Sequence, residues 1–146
     1  MNRCRAAIEI AASPERVFTY LYDPEKLTRW VSGLVEMRGT EGEPRVGSQQ
    51  KAVFEVRGRR HEVESETTRV ESGRLLEGLT RTRSFDSFGV QELEDLDGRT
   101  RLTITCRYAY HTLPLKMLAL PIEWYAGRRI TRDLRRLKEI LEADAP

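Results

Sequence analysis

Few side chains in this sequence are equipped for acid–base, nucleophilic or metal chemistry: there are two histidines, His61 and His111, and two cysteines, Cys4 and Cys106. The cysteines are too few for a disulfide framework and lack metal-ligand spacing, so both read as reduced, partly buried thiols. No G-x-S-x-G elbow, phosphate-cradling glycine loop or metal-ligand cluster is present. The sequence therefore assigns no catalytic residue, no metal and no cofactor by motif.

Two polar groups nevertheless stand where apolar ones are expected. In "RRHEVESETT", Arg60, Glu62, Glu64 and Glu66 share one face of a strand, which must meet solvent. His61, Val63, Ser65 and Thr67 then face inward as a partly polar row. His61 is either a strand-end histidine satisfied by a neighbour or water, or a pocket residue able to bond a ligand or move a proton. His111, at the junction "YHTLPL", reads as structural. The second group is Glu123. Ile130, Leu134, Leu137 and Leu141 form one stripe at about 100° per residue, and extending it backward places Glu123, Ala126 and Gly127 on the same side. Small residues there leave room, and Glu123 becomes a carboxylate facing it. Alternatively Pro121 and Gly127 break the helical phase, and Trp124 or Tyr125 turns inward instead.

The elements that must carry these groups follow from periodicity. "RCRAAIEI" alternates as a half-buried strand with Cys4, Ala6, Ile8 and Ile10 on one face. Two helix starts follow: Ser13-Pro14-Glu15 before Val17, Phe18 and Leu21, then Asp23-Pro24-Glu25 before Leu27, Trp30 and Val31. About 80 residues of strand signal come next, punctuated by Gly58, "ESG" at 71–73 and "LDG" at 96–98. A long helix over roughly 115–143 ends the chain. Its arginines at 128, 129, 132, 135 and 136 could suit nucleic acid or an anionic membrane, but Glu123, Asp133, Glu139 and Glu142 interleave with them. That spacing predicts a salt-bridged solvent face.

With 146 residues, 39% hydrophobic, and 25 basic against 23 acidic side chains, the chain is too apolar for disorder and too balanced for a dedicated polyanion binder. One core and a single domain over 1–146 are expected. No signal-peptide core or membrane-spanning run is present, which predicts a cytoplasmic protein.

In order and spacing, "SPERVFTYLYDPEKLTRWV", "PRVGSQQKAVFEVRGRRHEVESETTRVESGRLL", "GRTRLTITCRY" and "RDLRRLKEILE" resemble the polyketide cyclase/dehydrase and lipid-transport family of the START/Bet v 1-like (SRPBCC) superfamily. The resemblance implies an α+β helix-grip fold: a curved seven-stranded antiparallel sheet wrapped around the long C-terminal helix, with the two short helices after the first strand closing one end. It also implies a cavity between sheet and helix for a lipid, polyketide or similar molecule. A strongly curved sheet does not close tightly on one helix, which agrees with such a cavity. The expected lining is Phe54, Val56, His61, Val63, Ser65, Thr67, Phe88, Tyr108 and Tyr110 from the sheet and Glu123, Ala126 and Gly127 from the helix. Trp30 stands in the core or at the pocket mouth. The leading functional expectation is a carrier or sequestering protein for a hydrophobic small molecule. A cyclase/dehydratase-like enzyme using His61 or Glu123 is the alternative, and an interaction module resembling the Hsp90-activator branch is the third. Neither nucleic acid nor stable membrane insertion is expected, and monomer or homodimer is left open.

Overall fold

The structure is a computed structural model that describes residues 3–39, 41–111, 117 and 119–143, with the side chains of 119, 120 and 122 outside the description. Strand β1 (Arg3–Ile10) leads into two short helices, α1 (Pro14–Tyr22) and α2 (Pro24–Trp30). Each starts at a side-chain cap. Ser13 Oγ accepts from the Arg16 N–H, and Asp23 Oδ1 accepts from Glu25 and Lys26, satisfying amide groups that have no partner within a first helical turn. Asp23 closes α1 and opens α2, so the chain turns within one residue.

Six strands follow: β2 (Leu34–Arg38), β3 (Gln49–Val56), β4 (Arg59–Glu71), β5 (Leu75–Arg81), β6 (Phe85–Asp95) and β7 (Thr100–Tyr110). With β1 they form one antiparallel sheet in the order β1-β7-β6-β5-β4-β3-β2. The β3–β4 and β6–β7 turns hold Arg57 and Gly58, and Asp97 and Gly98, at positive φ, the backbone that two-residue hairpin turns require. A bulge at Thr68 and another at Val35 bend the sheet and fall where the ladder register shifts.

The last helix, α3 (Ala119–Ala143), lies across the concave face and packs chiefly on β1 and α2. Leu134, Leu137 and Leu141 are fully buried in one cluster with Ile10, Val17, Leu27, Trp30 and Leu102. The predicted leucine stripe and the alternation of β1 and β7 are both observed. Of the expected helix span 115–143, residues 115, 116 and 118 lie outside the described residues.

One anchor of α3 was not foreseen. Asp133 is buried, and its carboxylate accepts from the Ser32 N–H at 3.1 Å and from the Ser32 hydroxyl. Arg129 donates to the Ser32 carbonyl, and its guanidinium lies 5.6 Å from the Phe54 ring centre. The turn after α2 is thereby held to the middle of α3. Gly33 in that turn has φ +77°, and a Cβ there would stand 3.2 Å from the Glu55 carbonyl oxygen.

Replacing Leu137 by Ala should cost about 2–5 kcal/mol, against about 1 kcal/mol for Ser13→Ala. Urea denaturation of the two variants checks the order. A Leu137→Ala midpoint equal to that of the parent would mean that α3 is not packed on this core.

Candidate ligand cavity

Because α3 sits over β1 and the leucine core, the concave face of β4, β5 and β6 is left open. A half-open cavity of about 220 Å³ lies there, floored by the sheet and flanked by Leu21, Tyr22 and Pro24 of the helix pair and by Gly39, Gly42 and Pro44 of the β2–β3 connection. Ladder register shows how the floor is built. Thr67, Gly78, Gly89, Cys106 and Cys4 are successive cross-strand partners on β4, β5, β6, β7 and β1. This is a row of small residues spanning five strands.

The two glycines in the row have different reasons. A Cβ on Gly78 would press to 3.3 Å on the Glu66 carbonyl oxygen, beside the β4 bulge. A Cβ on Gly89 would meet nothing within 4 Å. The first is small because backbone approaches it; the second leaves volume unfilled.

The rows on either side bring hydrogen-bonding groups. Gln50, Ser65, Thr80 and Ser87 lie on one side, and Leu76, Gln91 and Ile104 on the other. Thr67 is buried, and its hydroxyl and that of Ser65 share the Gln50 amide at 3.4 and 3.5 Å. The floor therefore carries more polar groups than the partly polar β4 row expected from sequence.

Of the expected lining, Ser65 and Thr67 are on this cavity. Val63 and Phe54 pack against the core beside it. Trp30 is core, its indole N–H donating to the Tyr20 carbonyl at 2.9 Å. His61 faces inward opposite Phe54, but at the exposed end of β4, and Val56 is half-exposed at the end of β3. Phe88 is the clear misplacement. It lies on the convex face, 43% exposed, because β6 presents Ser87, Gly89 and Gln91 inward and so turns Phe88 and Val90 outward. His111 pairs with Asp86 at 3.1 Å near the surface.

The helix residues form a separate cluster. Trp124 and Tyr125 are exposed, whereas one carboxylate oxygen of Glu123 is buried, so the unbroken helical phase is the correct alternative. The Cys4 thiol donates to the Glu123 carbonyl at 3.1 Å, and Ala126 and Gly127 are half-buried beside it. Among the described residues, none from α3 lines the cavity on the sheet. Tyr108 and Tyr110 stack at 6.2 Å with Phe85 at their edges, filling the far end of the concave face. Among the described residues, the buried Tyr110 hydroxyl and Glu123 Oε1 find no hydrogen-bond partner. Burial and then the Glu123 charge push the Tyr110 hydroxyl pKa up.

Sequence reasoning missed Gln50, Gly78, Thr80, Ser87, Gly89 and Gln91. Each sits at a period of two within "QQKAVFEV", "LLEGLTR" or "FDSFGVQELED", but the inward parity is visible only once the register is known.

Burial raises the Cys106 thiol to about 11, with the neighbouring Cys4 adding to the shift. At pH 8 its thiolate is scarcer than that of an ordinary thiol by roughly two orders of magnitude, so alkylation by iodoacetamide should be slower by about that factor. Time-resolved mass spectrometry measures this. The same shift has a stability consequence. The folded chain holds this proton more tightly than the unfolded one, so the contribution is complete below the ordinary value of 9.0 and is lost as pH rises toward about 11. Cys106→Ala should flatten the alkaline limb, and an unchanged limb would assign it to other groups.

The comparisons with known proteins agree with this architecture. The family model described as polyketide cyclase/dehydrase and lipid transport matches residues 1–142. Protein CV1439 of Chromobacterium violaceum superposes with a TM-score of 0.73 at 22% identity, covering 98% of this chain and 99% of the other. A START superfamily protein of Mycobacterium smegmatis gives 0.77 at 16% identity, over 98% and 99%. Ara h 8.0201, a Bet v 1 relative, gives 0.74 at 11% identity, over 97% and 98%. No curated protein sequence matches significantly. The sheet, the helix pair and the gripped C-terminal helix therefore have a START/Bet v 1-like arrangement, and the chain belongs to the polyketide cyclase/dehydrase and lipid transport family.

Proposed function

We propose that this protein binds a small molecule with an apolar body and several hydroxyl or carbonyl groups, as a carrier or sequestering protein. The observation that carries the reading is the cavity floor. Gly89 leaves an open stretch of sheet, and Gln50, Ser65, Thr67, Thr80, Ser87 and Gln91 surround it with donors and acceptors. Gln50, Ser65 and Thr67 pair with one another, but a bare acyl chain would leave the Thr80, Ser87 and Gln91 side chains unpaired, at a cost of about 1–3 kcal/mol for each that loses contact with water. A planar oxygenated molecule would pair them while covering Leu76, Ile104 and Met37.

A second reading rests on the buried Glu123 Oε1 and Tyr110 hydroxyl, which find no partner among the described residues. A carboxylate and a phenol together could move a proton to or from an enolisable substrate, as a cyclase or dehydratase requires. These groups stand apart from the described cavity lining, so carriage is the main reading.

Gly89→Val is the direct test of the cavity. The φ of Gly89 is not positive, the site is a strand, and open space faces it. Stability should be equal to or up to about 1 kcal/mol above the parent, because glycine weakens a strand interior. Uptake of an environment-sensitive dye and of a polyhydroxylated aromatic probe should be lost. Unchanged uptake would place the ligand elsewhere. The Gly127→Leu substitution that the sequence suggests should leave uptake intact, since that residue lies outside the described lining.

Glu123→Gln distinguishes the two readings. A carrier should change its probe affinity less than about tenfold, whereas an enzyme acting on a poly-β-keto thioester should lose turnover by 10²-fold or more, a loss on the scale of a missing general acid or base. His61→Ala should alter neither, because His61 is exposed and off the cavity.

A further inference from the structure

The outward face of α3 differs from the salt-bridged surface that charge spacing predicts. Of the acids interleaved with its arginines, Asp133 is buried on Ser32, Glu123 turns one oxygen into the protein, and Glu142 is held by Lys138 at 2.8 Å. Arg128, Arg132, Arg135 and Arg136 are exposed and, among the described residues, form no ion pair. Glu139 is the acid left on their face.

Exposed aromatic surface adjoins this charge. Trp124 is 65% and Tyr125 62% exposed, and Met117, two residues before α3, is 78% exposed. The Arg128 guanidinium lies 4.9 Å from the Trp124 ring centre. At 100° per residue, Trp124, Arg128, Arg132 and Arg135 fall within about 80° of one another around the helix. Contiguous exposed aromatics beside uncompensated arginines are the composition of a helix that lies in the headgroup layer of an anionic bilayer.

From this geometry we infer that α3 docks the protein on an anionic lipid surface, with Trp124 and Tyr125 at the headgroup level and the four arginines on lipid phosphates and carboxylates. The contact is peripheral: no helix among the described residues is long and apolar enough to cross a membrane. The inference is independent of what occupies the cavity, since the docking face and the cavity share no described residue.

Vesicle flotation tests it. The parent should float with phosphatidylcholine vesicles containing about 30% phosphatidylserine, should not float with phosphatidylcholine alone, and should detach with added salt. Arg128→Glu with Arg132→Glu should weaken binding by on the order of 10- to 100-fold, and Trp124→Ala with Tyr125→Ala by about tenfold. Trp30 is buried and bonded, so a blue shift in emission on vesicle contact reports Trp124 and should vanish in Trp124→Phe. Quenching of Trp124 by brominated lipid gives the same answer in the unsubstituted protein.

No flotation with the anionic vesicles, equal flotation with neutral ones, or binding retained by both double variants would overturn the inference. So would preferential capture of a single-stranded oligonucleotide, or a solution dimer that Trp124→Ala with Tyr125→Ala dissolves, since the face would then serve nucleic acid or a second copy.

Discussion

The structure depends on one constraint: a single helix can cover only part of a seven-stranded concave sheet. Leu134, Leu137 and Leu141 lose all contact with water against Ile10, Leu102 and the α1–α2 pair, each such burial stabilising by roughly 1.5–3 kcal/mol. That stripe draws α3 over β1 and leaves the opposite half of the sheet uncovered. The Asp133–Ser32–Arg129 connection fixes the helix there by joining it to the end of α2. Cavity, cysteine cluster and outward arginines all follow from where α3 comes to rest.

The uncovered half is kept open by side-chain size. A larger residue at 89 would occupy part of this open volume. The Thr–Gly–Gly–Cys–Cys row instead provides a shallow floor, with hydroxyls and amides supplied by the neighbouring rows. Toward the end of β7 the pattern reverses, and Phe85, Tyr108 and Tyr110 fill the concavity with stacked rings. Open volume and filled volume thus divide along the direction of the strands.

The partnerless groups follow the same division. Tyr110 feels the charge of Glu123, and each buries a polar atom that nothing described satisfies. The cavity floor carries polar groups that remain open to the cavity. Unsatisfied polarity inside a protein costs stability unless something pairs with it, which is why both places carry the proposed readings of function. On the outside, the acids that charge spacing had paired with the α3 arginines are directed inward or claimed by other residues. A surface predicted to be neutralised is instead basic.

The sequence by itself determined the element order, both helix caps, the hairpin turns, the inward faces of β1 and β7 and the leucine stripe of α3, because each is a local periodicity or a local hydrogen bond. It also turned Ser65 and Thr67 to the inward face, since a charged alternate face leaves only one inward choice. The parity of β6 was not legible: "FDSFGVQELED" has apolar residues on both faces, and only pairing with β5 and β7 shows that Gly89 faces the cavity and Phe88 faces solvent. The orientation of Glu123 was undecided for a similar reason, a Pro and a Gly in one helix allowing either phase until the Cys4 contact and the exposed Trp124 settle it. Charge spacing on α3 misled because separation along a helix measures reach and not direction. Asp133 lies four residues from Arg129 and three from Arg136, yet its partner is a serine 101 residues away in sequence, which only the packing of α3 on the end of α2 brings within reach.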